Sequence, residues 1–270
     1  MSKYLTTDEF NELNHWLKKV DEAFGSEEAL KAVSEAKKIA PEDFDVIRAE
    51  ALAKYKATYD PADRCRFYKE AREKADEVIR RDSEEYESIH DWYRNIQGRP
   101  YMRLLSNYAD ALVEAGRLKD AKGVYEDILS LTHYDGIGNR YRLMGIYALF
   151  EDGVKAERLL RKYKDCEGLG LFLPASVCFF KKGDIEKAEQ YLAEAFGFNE
   201  NLPEMLRKSS NKNFWPKAYD IYQRGYRNGY EAWSYDECVF HMMENKFLYD
   251  SAPGYFTWAR HVLEKARARR

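Results

Sequence analysis

The chain of 270 residues has few cysteines and no long apolar run, and each scarcity excludes a class of protein. The cysteines lack a CxxC pair and a histidine at zinc-ligand spacing, so we expect small, reduced, buried side chains rather than disulfides. They are Cys65, Cys166, Cys178 and Cys238. The longest apolar stretch, 168–180, contains Pro174 and is shorter than the ~20 residues of a spanning helix, so no transmembrane segment is expected.

The chain also lacks a large excess of positive or of negative charge. The chain has 44 Lys+Arg against 47 Asp+Glu, a formal charge of −3, which provides no overall field for nucleic acid or an anionic membrane. The first ten residues are acidic and polar, unlike a secretory signal, so a cytoplasmic protein is expected. An aromatic content of 15% indicates a folded chain, long enough for one elongated domain or two modest ones.

Catalytic and metal-binding patterns are scarce too. The five histidines are scattered, without HExxH, and the chain has no GxxxxGK[ST] phosphate loop and no GxSxG elbow. The segment DGIGNRY, 135–141, follows no predicted strand and indicates a loop rather than a dinucleotide fingerprint. We therefore expect no metal, no cofactor and no catalytic residues.

What the chain does contain is an internal repeat. Leu105 and Phe172 begin two ladders of apolar and small residues that lie 67 residues apart, two steps of about 34. The first ladder is Leu105, Tyr108, Ala109, Leu112, Gly116, Ala121, Tyr125 and Ile128; the second is Phe172, Ala175, Ser176, Phe179, Gly183, Ala188, Leu192 and Ala195. Each glycine is predicted to end a first helix with positive φ, and each following alanine to let a second helix approach.

Weaker copies extend the pattern in both directions. One fills 141–160, with a turn that we predict to be one residue shorter, and another covers 13–36, where Leu17 stands in place of the expected small residue. Residues 43–81 indicate a further pair whose second helix is long. Helical stretches at 215–226, 235–245 and 256–268 lack the ladder and are expected to cap the stack.

These residues resemble the tetratricopeptide repeat (TPR) superfamily, in which each unit is two antiparallel helices. The resemblance implies an all-α, right-handed α-solenoid of helix-turn-helix units with a C-terminal helical cap. We expect about five helical pairs in 1–202, with an insertion near 84–101, and a capping module in 203–270.

Two motifs are similar to those of a narrower group, mostly uncharacterised bacterial TPR proteins, some of them labelled suppressor-of-tumorigenicity-like. The first is RPYMR, 99–103, and the second is the DGIGNRY segment. The C-terminal part resembles the same group through Glu231, Ala232, Tyr235, Asn245, Tyr249, Pro253, Gly254 and Trp258, with Tyr249 where the group is expected to have Trp. Relatives that carry a zinc module have clustered Cys and His, which this chain lacks, so the resemblance implies neither a metal nor a reaction.

In such a stack the first helices line a concave groove, where a partner would bind. Arginine forks and amides suit an extended peptide, because they bond its carboxylates and its backbone. The predicted partner-binding residues are Trp92, Arg99, Tyr101, Arg103, Asn107, Asp110, Asn139, Arg140 and Arg142. The structural alternative stays open: Arg103 could neutralise Asp110, and Arg142 could neutralise Glu151.

Two further surfaces have open interpretations. The insertion 84–101 is rich in Tyr, Trp and Arg, and either packs structurally, with Arg99 on backbone carbonyls, or offers a ligand platform. Leu173, Val177 and Phe180 form an unusually apolar stretch of the fifth repeat, which is either a partner site or covered by the C-terminal helices.

The leading prediction is therefore a non-catalytic cytoplasmic scaffold that binds a protein or peptide partner and neither membrane nor nucleic acid. A second hypothesis is a regulatory nucleic-acid-associated protein that uses a strip of arginines with Tyr or Trp stacking. That strip is Arg94, Arg99, Arg103, Arg140 and Arg142. A third is an enzyme with a site in the aromatic insertion. The basic end of the chain, HVLEKARARR, suits a helix C-terminus.

Overall fold

The computed structural model describes residues 5–23, 26–166 and 168–268, and within these ranges it contains sixteen α-helices and no strand. The helices are α1 Thr7–Glu22, α2 Ser26–Ile39, α3 Phe44–Lys56, α4 Pro61–Arg81, α5 Ser83–Tyr86, α6 Arg99–Glu114, α7 Leu118–Ser130, α8 Asn139–Leu149, α9 Gly153–Lys162, α10 Leu169–Lys181, α11 Ile185–Phe198, α12 Leu202–Lys208, α13 Phe214–Asn228, α14 Tyr235–Glu244, α15 Lys246–Asp250 and α16 Tyr255–Ala268. The predicted all-α class is confirmed. None of the described helices is both long and apolar enough to cross a bilayer.

The chain divides into two compact units between Asn139 and Arg140, one residue into α8. In the N-terminal unit three pairs, α1/α2, α3/α4 and α6/α7, pack in chain order. The first helices α1, α3 and α6 contact one another in sequence, and the second helices α2 and α4 each also pack on the next first helix. As predicted, α4 is long, with 21 residues.

Three helical pairs share one turn, although only two have a glycine in it. Gly116 and Gly183 have φ of 71° and 76°, and Glu151 takes the same left-handed position with φ 57°. In each turn the next residue's N–H donates to a carbonyl five residues back, as from Asp152 to Tyr147 at 2.9 Å. All three turns have three residues between helices, so the predicted shorter turn was wrong. Met144 therefore takes the place of Ala109 and Ser176 in the third copy, and its bulk makes that copy irregular.

Glu151→Gly should stabilise the protein by about 0.5–1 kcal/mol, because a side chain in the left-handed region is strained and glycine is not. The ion pair given up is a weak one, since Glu151 is half exposed and its Oε1 lies 3.8 Å from Lys181 Nζ. Urea unfolding followed by circular dichroism measures the change. Gly116→Ala is the matched control and should destabilise by about 1 kcal/mol; a loss of stability in Glu151→Gly would contradict the assignment.

The C-terminal unit buries the apolar stretch of α10. Leu173 and Val177 are fully buried, and Phe180 packs against Tyr255 and Trp258 of α16 with ring centroids 5.5 and 4.9 Å apart. Of these three residues, Phe180 is the one for which ring contacts with a C-terminal helix are observed. The predicted helices of this region are present, and α12 and α15 add two short ones that the pattern does not indicate.

The thiols agree with the expectation of small buried side chains. Cys65, Cys178 and Cys238 are free and buried. Burial raises the pKa of Cys178 to about 11, so this thiol is poorly reactive at neutral pH. The prediction for Cys166 concerns a side chain outside the described part, as do the predictions for residues 1–4 and for the last two arginines.

Candidate functional site

A groove of about 610 Å³ opens along the first helices of the N-terminal unit. The start of α1 forms one wall, the start of α3 the floor, and the approach to α6 the other wall. Its lining residues are Leu5, Thr6, Thr7, Phe10, Asn14, Asp43, Phe44, Asp45, Tyr86, Ile96, Gln97, Arg99, Pro100 and Arg103. We call this surface the α1–α3–α6 groove.

Helix starts fix the groove walls. Thr6 and Glu9 form a reciprocal capping box on α1, and the Asp43 carboxylate accepts the N–H of Asp45 at 2.9 Å to cap α3. Burial, with the adjacent Asp45 carboxylate, raises the pKa of Asp43. Arg99 Nε donates to the Tyr93 carbonyl at 2.7 Å, which ties the first residue of α6 to the insertion. The RPYMR motif thus begins α6, the first helix of the α6/α7 pair, and does not end the insertion.

A chain of ion pairs crosses the three first helices. Arg103 Nη2 of α6 lies 2.8 Å from Asp45 Oδ2 of α3, and Arg48 Nε lies 3.4 Å from the other Asp45 oxygen. Arg48 Nη2 continues to Asp21 Oδ1 of α1 at 3.6 Å. Arg103 therefore pairs with Asp45, and the predicted Arg103–Asp110 neutralisation is wrong, because Asp110 instead accepts the Tyr125 hydroxyl at 2.6 Å.

Two large apolar side chains stand exposed at the mouth of the groove. Phe10 is 55% exposed and Ile96 is 81% exposed, one on each wall. Scattered exposed apolar residues are ordinary, but two that face one cleft with arginines between them form the mixed surface typical of peptide-binding sites. A ligand could bury both while meeting the guanidinium groups of Arg99 and Arg103.

Several predicted contact residues are buried instead. Trp92 and Tyr101 pack together at 5.2 Å between ring centroids, and Tyr101 donates its hydroxyl to Asp76 Oδ1 at 2.6 Å. Burial and the Asp76 carboxylate raise the Tyr101 pKa well above its usual range. Asn139 is buried and accepts the Ser106 hydroxyl at 2.8 Å. These three side chains hold the fold and are removed from the candidate contact surface.

The contacts of the insertion are those of a segment that packs against the rest of the unit. Asp91 accepts hydrogen bonds from the Tyr93 and Arg94 N–H groups, the Thr132 hydroxyl and the His133 N–H, at 2.6–3.1 Å. Trp92 N–H donates to the Leu131 carbonyl at 3.0 Å. The DGIGNRY loop closes on the same segment: a Cβ at Gly136 would lie 2.4 Å from the Tyr93 ring. The insertion is therefore pinned to the loop after α7.

The remaining predicted residues have mixed surroundings. Asn107 is half-buried on α6, one turn from Arg103, and makes no side-chain hydrogen bond within the described residues. Arg140 and Arg142 belong to the C-terminal unit, where Arg140 lies 4.2 Å over the Tyr141 ring. Arg142 pairs with Glu244 at 3.8 Å and not with Glu151, so that predicted neutralisation is also wrong.

Sequence reasoning missed a buried polar network in the C-terminal unit. His241 is buried on α14, with Nδ1 3.3 Å from Glu244 Oε2 and Nε2 3.0 Å from the Tyr230 hydroxyl. Arg142 Nη2 donates to the Tyr222 hydroxyl at 2.8 Å and Nη1 to the Glu244 carbonyl. His241 and Glu244 are three residues apart in α14 and therefore lie on one face of the helix. This spacing is the feature of the sequence that could have indicated the network. Within the described ranges no cluster of His, Cys, Asp or Glu could hold a metal ion.

No protein-family model matches the chain, and no curated protein matches it.

Proposed function

We propose that the chain is a non-catalytic helical-repeat scaffold of the TPR type, which binds an extended segment of a protein partner in the α1–α3–α6 groove. The observation that carries this proposal is the groove itself: an open cleft of about 610 Å³ between three first helices, with exposed Phe10 and Ile96 at its mouth. Apolar anchors at the centre of a polar rim are what a peptide-binding surface requires.

The polar groups favour an extended ligand over a compact one. Arg103 is 45% exposed although it pairs with Asp45, so its guanidinium N–H groups can still donate to an approaching carboxylate. Asn107 and the exposed Asn14 offer amides that can donate to and accept from a peptide backbone. Asn14 lies on α1, whereas Arg103 and Asn107 lie on α6, which suits a ligand that runs from one helix to the other.

The proposal also includes the type of repeat and the cellular compartment of the protein. The repeated turns and buried alanines support TPR units, which we propose to stack with a right-handed twist within each unit, with α12–α16 as the cap of the last pair. A reducing, cytoplasmic setting is supported by three thiols that are buried and free. The arginine strip of the nucleic-acid hypothesis is less favoured, since the Arg142 side chain is only 18% exposed and already pairs with Glu244.

The proposal is tested by panning a library of linear peptides against the wild-type chain and measuring the Kd of enriched peptides by fluorescence anisotropy. The variant Phe10→Ser/Ile96→Ser should bind them about tenfold or more weakly, because both apolar anchors are lost. Hydrogen exchange should show protection at 5–14 and 96–103 on binding.

The matched control is Val154→Ser/Ile185→Ser, which removes two exposed apolar side chains outside the groove. It should leave the Kd within about twofold. Peptides that bind both variants and the wild type equally would overturn the groove as the site. Urea midpoints close to wild type in both variants establish that the fold is intact.

A further inference from the structure

The C-terminal unit has a second cleft, of about 350 Å³, between α12 and α13. It is lined by Arg207, Lys208, Asn211, Asn213, Phe214, Lys217, Ala218, Ile221 and Tyr235. Three of these residues are cations and none is acidic. The α1–α3–α6 groove is different, because its arginines stand beside aspartates of the same lining.

Two of the three cations form no ion pair within the part of the chain that the structure describes. Lys208 Nζ pairs with Glu204 Oε1 at 2.6 Å and lies 4.5 Å over the Tyr235 ring. Arg207 and Lys217 are exposed and form no ion pair or hydrogen bond within the described residues. The cleft therefore presents two cations outside any ion pair, in a chain whose formal net charge is −3.

The remaining lining supplies hydrogen-bond donors and an apolar floor. Asn211 Oδ1 accepts the Asn213 N–H at 2.9 Å, which leaves the Asn211 amide N–H groups for an outside acceptor. Phe214 and Ala218 are buried beneath the cleft, and Ile221 is half-buried beside them. A ligand with an anionic end and an apolar body would satisfy both parts.

We propose that this cleft binds a phosphate monoester carried on an apolar or aromatic body, at a site separate from the groove of the proposed function. A phosphate monoester carries about −1.5 to −2 charges at pH 7, which matches Arg207 and Lys217, whereas a single carboxylate leaves one cation unmatched. Arg207 can bond two phosphate oxygens with its fork, Lys217 acts as a point charge, and the Asn211 amide reaches a further oxygen.

The test is an NMR titration of the labelled full chain with phenyl phosphate at constant ionic strength. Amide shifts should move at 207–218 and 235, and Arg207→Gln/Lys217→Gln should weaken the Kd about tenfold or more. Benzoate should bind at least about fivefold more weakly than phenyl phosphate. Affinity for phenyl phosphate should fall from pH 7 to pH 5, because the second ionisation of the phosphate lies near pH 6.

The matched control is Arg158→Gln/Arg161→Gln, which removes two exposed cations of α9 and should leave the Kd within about twofold. Equal affinities for benzoate and phenyl phosphate would overturn the phosphate assignment. Unchanged affinity in Arg207→Gln/Lys217→Gln, or shifts spread over the whole surface, would overturn the site. Inorganic phosphate that binds as well as phenyl phosphate would overturn the role of the apolar floor.

Discussion

Glu244→Leu should destabilise the C-terminal unit by about 3–5 kcal/mol, because it removes a carboxylate that pairs with a largely buried guanidinium. The side chains of Glu244 and Arg142 are only 13% and 18% exposed. The same carboxylate lies 3.3 Å from His241 Nδ1, so leucine also removes the acceptor of a buried imidazole. The Arg142 contact joins α8 to α14, whereas the His241 contact lies within α14.

Urea unfolding measures the total loss, and hydrogen exchange of α8 and α14 locates it. The control is Asp250→Leu, which breaks an exposed pair with Lys246 in which the side chains are 44% and 57% exposed. It should cost less than about 1 kcal/mol. Arg142→Leu/Glu244→Leu should recover much of the loss, since no unpaired charge remains. A Glu244→Leu loss no larger than that of Asp250→Leu would refute the burial argument.

The features that sequence predicted correctly are local ones. A glycine with positive φ and an alanine at a helix contact depend on residues within one repeat, and Gly116, Ala121 and Ala188 take the predicted places. Glu151 shows the limit of this reasoning. The turn geometry is set by the packing of two helices, so it persists where the sequence has no glycine.

The ion-pair partners were predicted wrongly because they lie on other helices. Arg103 and Asp45 are 58 residues apart, and the Arg142–Glu244 contact spans 102. Spacing along one helix offers only neighbours such as Asp110, and choosing between these and a distant acid requires the register of the stack. The prediction that Trp92 and Tyr101 contact a partner failed for a related reason. Aromatic side chains of this kind can form a binding platform, but these two are buried by contacts with Phe44, Tyr86 and Asp76, which lie elsewhere in the sequence.

Asp91→Ala should release the insertion from the loop after α7, with a local loss of about 2–3 kcal/mol. One carboxylate accepts hydrogen bonds from two N–H groups of the insertion and from Thr132 and His133 of the loop, and alanine leaves all four donors to water. Since Ile96 lies in the same segment and lines the α1–α3–α6 groove, peptides selected on the wild type should also bind about tenfold more weakly. Faster exchange of the 88–98 amides, the Trp92 N–H included, measures the release.

The pH dependence gives an independent check. Partial burial opposes ionisation of Asp91, but the Thr132 hydroxyl and the backbone N–H groups outweigh it and lower the Asp91 pKa. A pKa below the unfolded value means that the stabilisation is present above about pH 4 and is lost as the pH falls through the folded pKa. Wild-type protection at 88–98, taken relative to the intrinsic exchange rate at each pH, should therefore fall in acid, whereas the protection in Asp91→Ala should change little. Asp91→Asn retains one acceptor oxygen, so the protection of its 88–98 amides should lie between that of the wild type and that of Asp91→Ala. Slow exchange in Asp91→Ala at neutral pH would show that the aromatic packing alone holds the insertion.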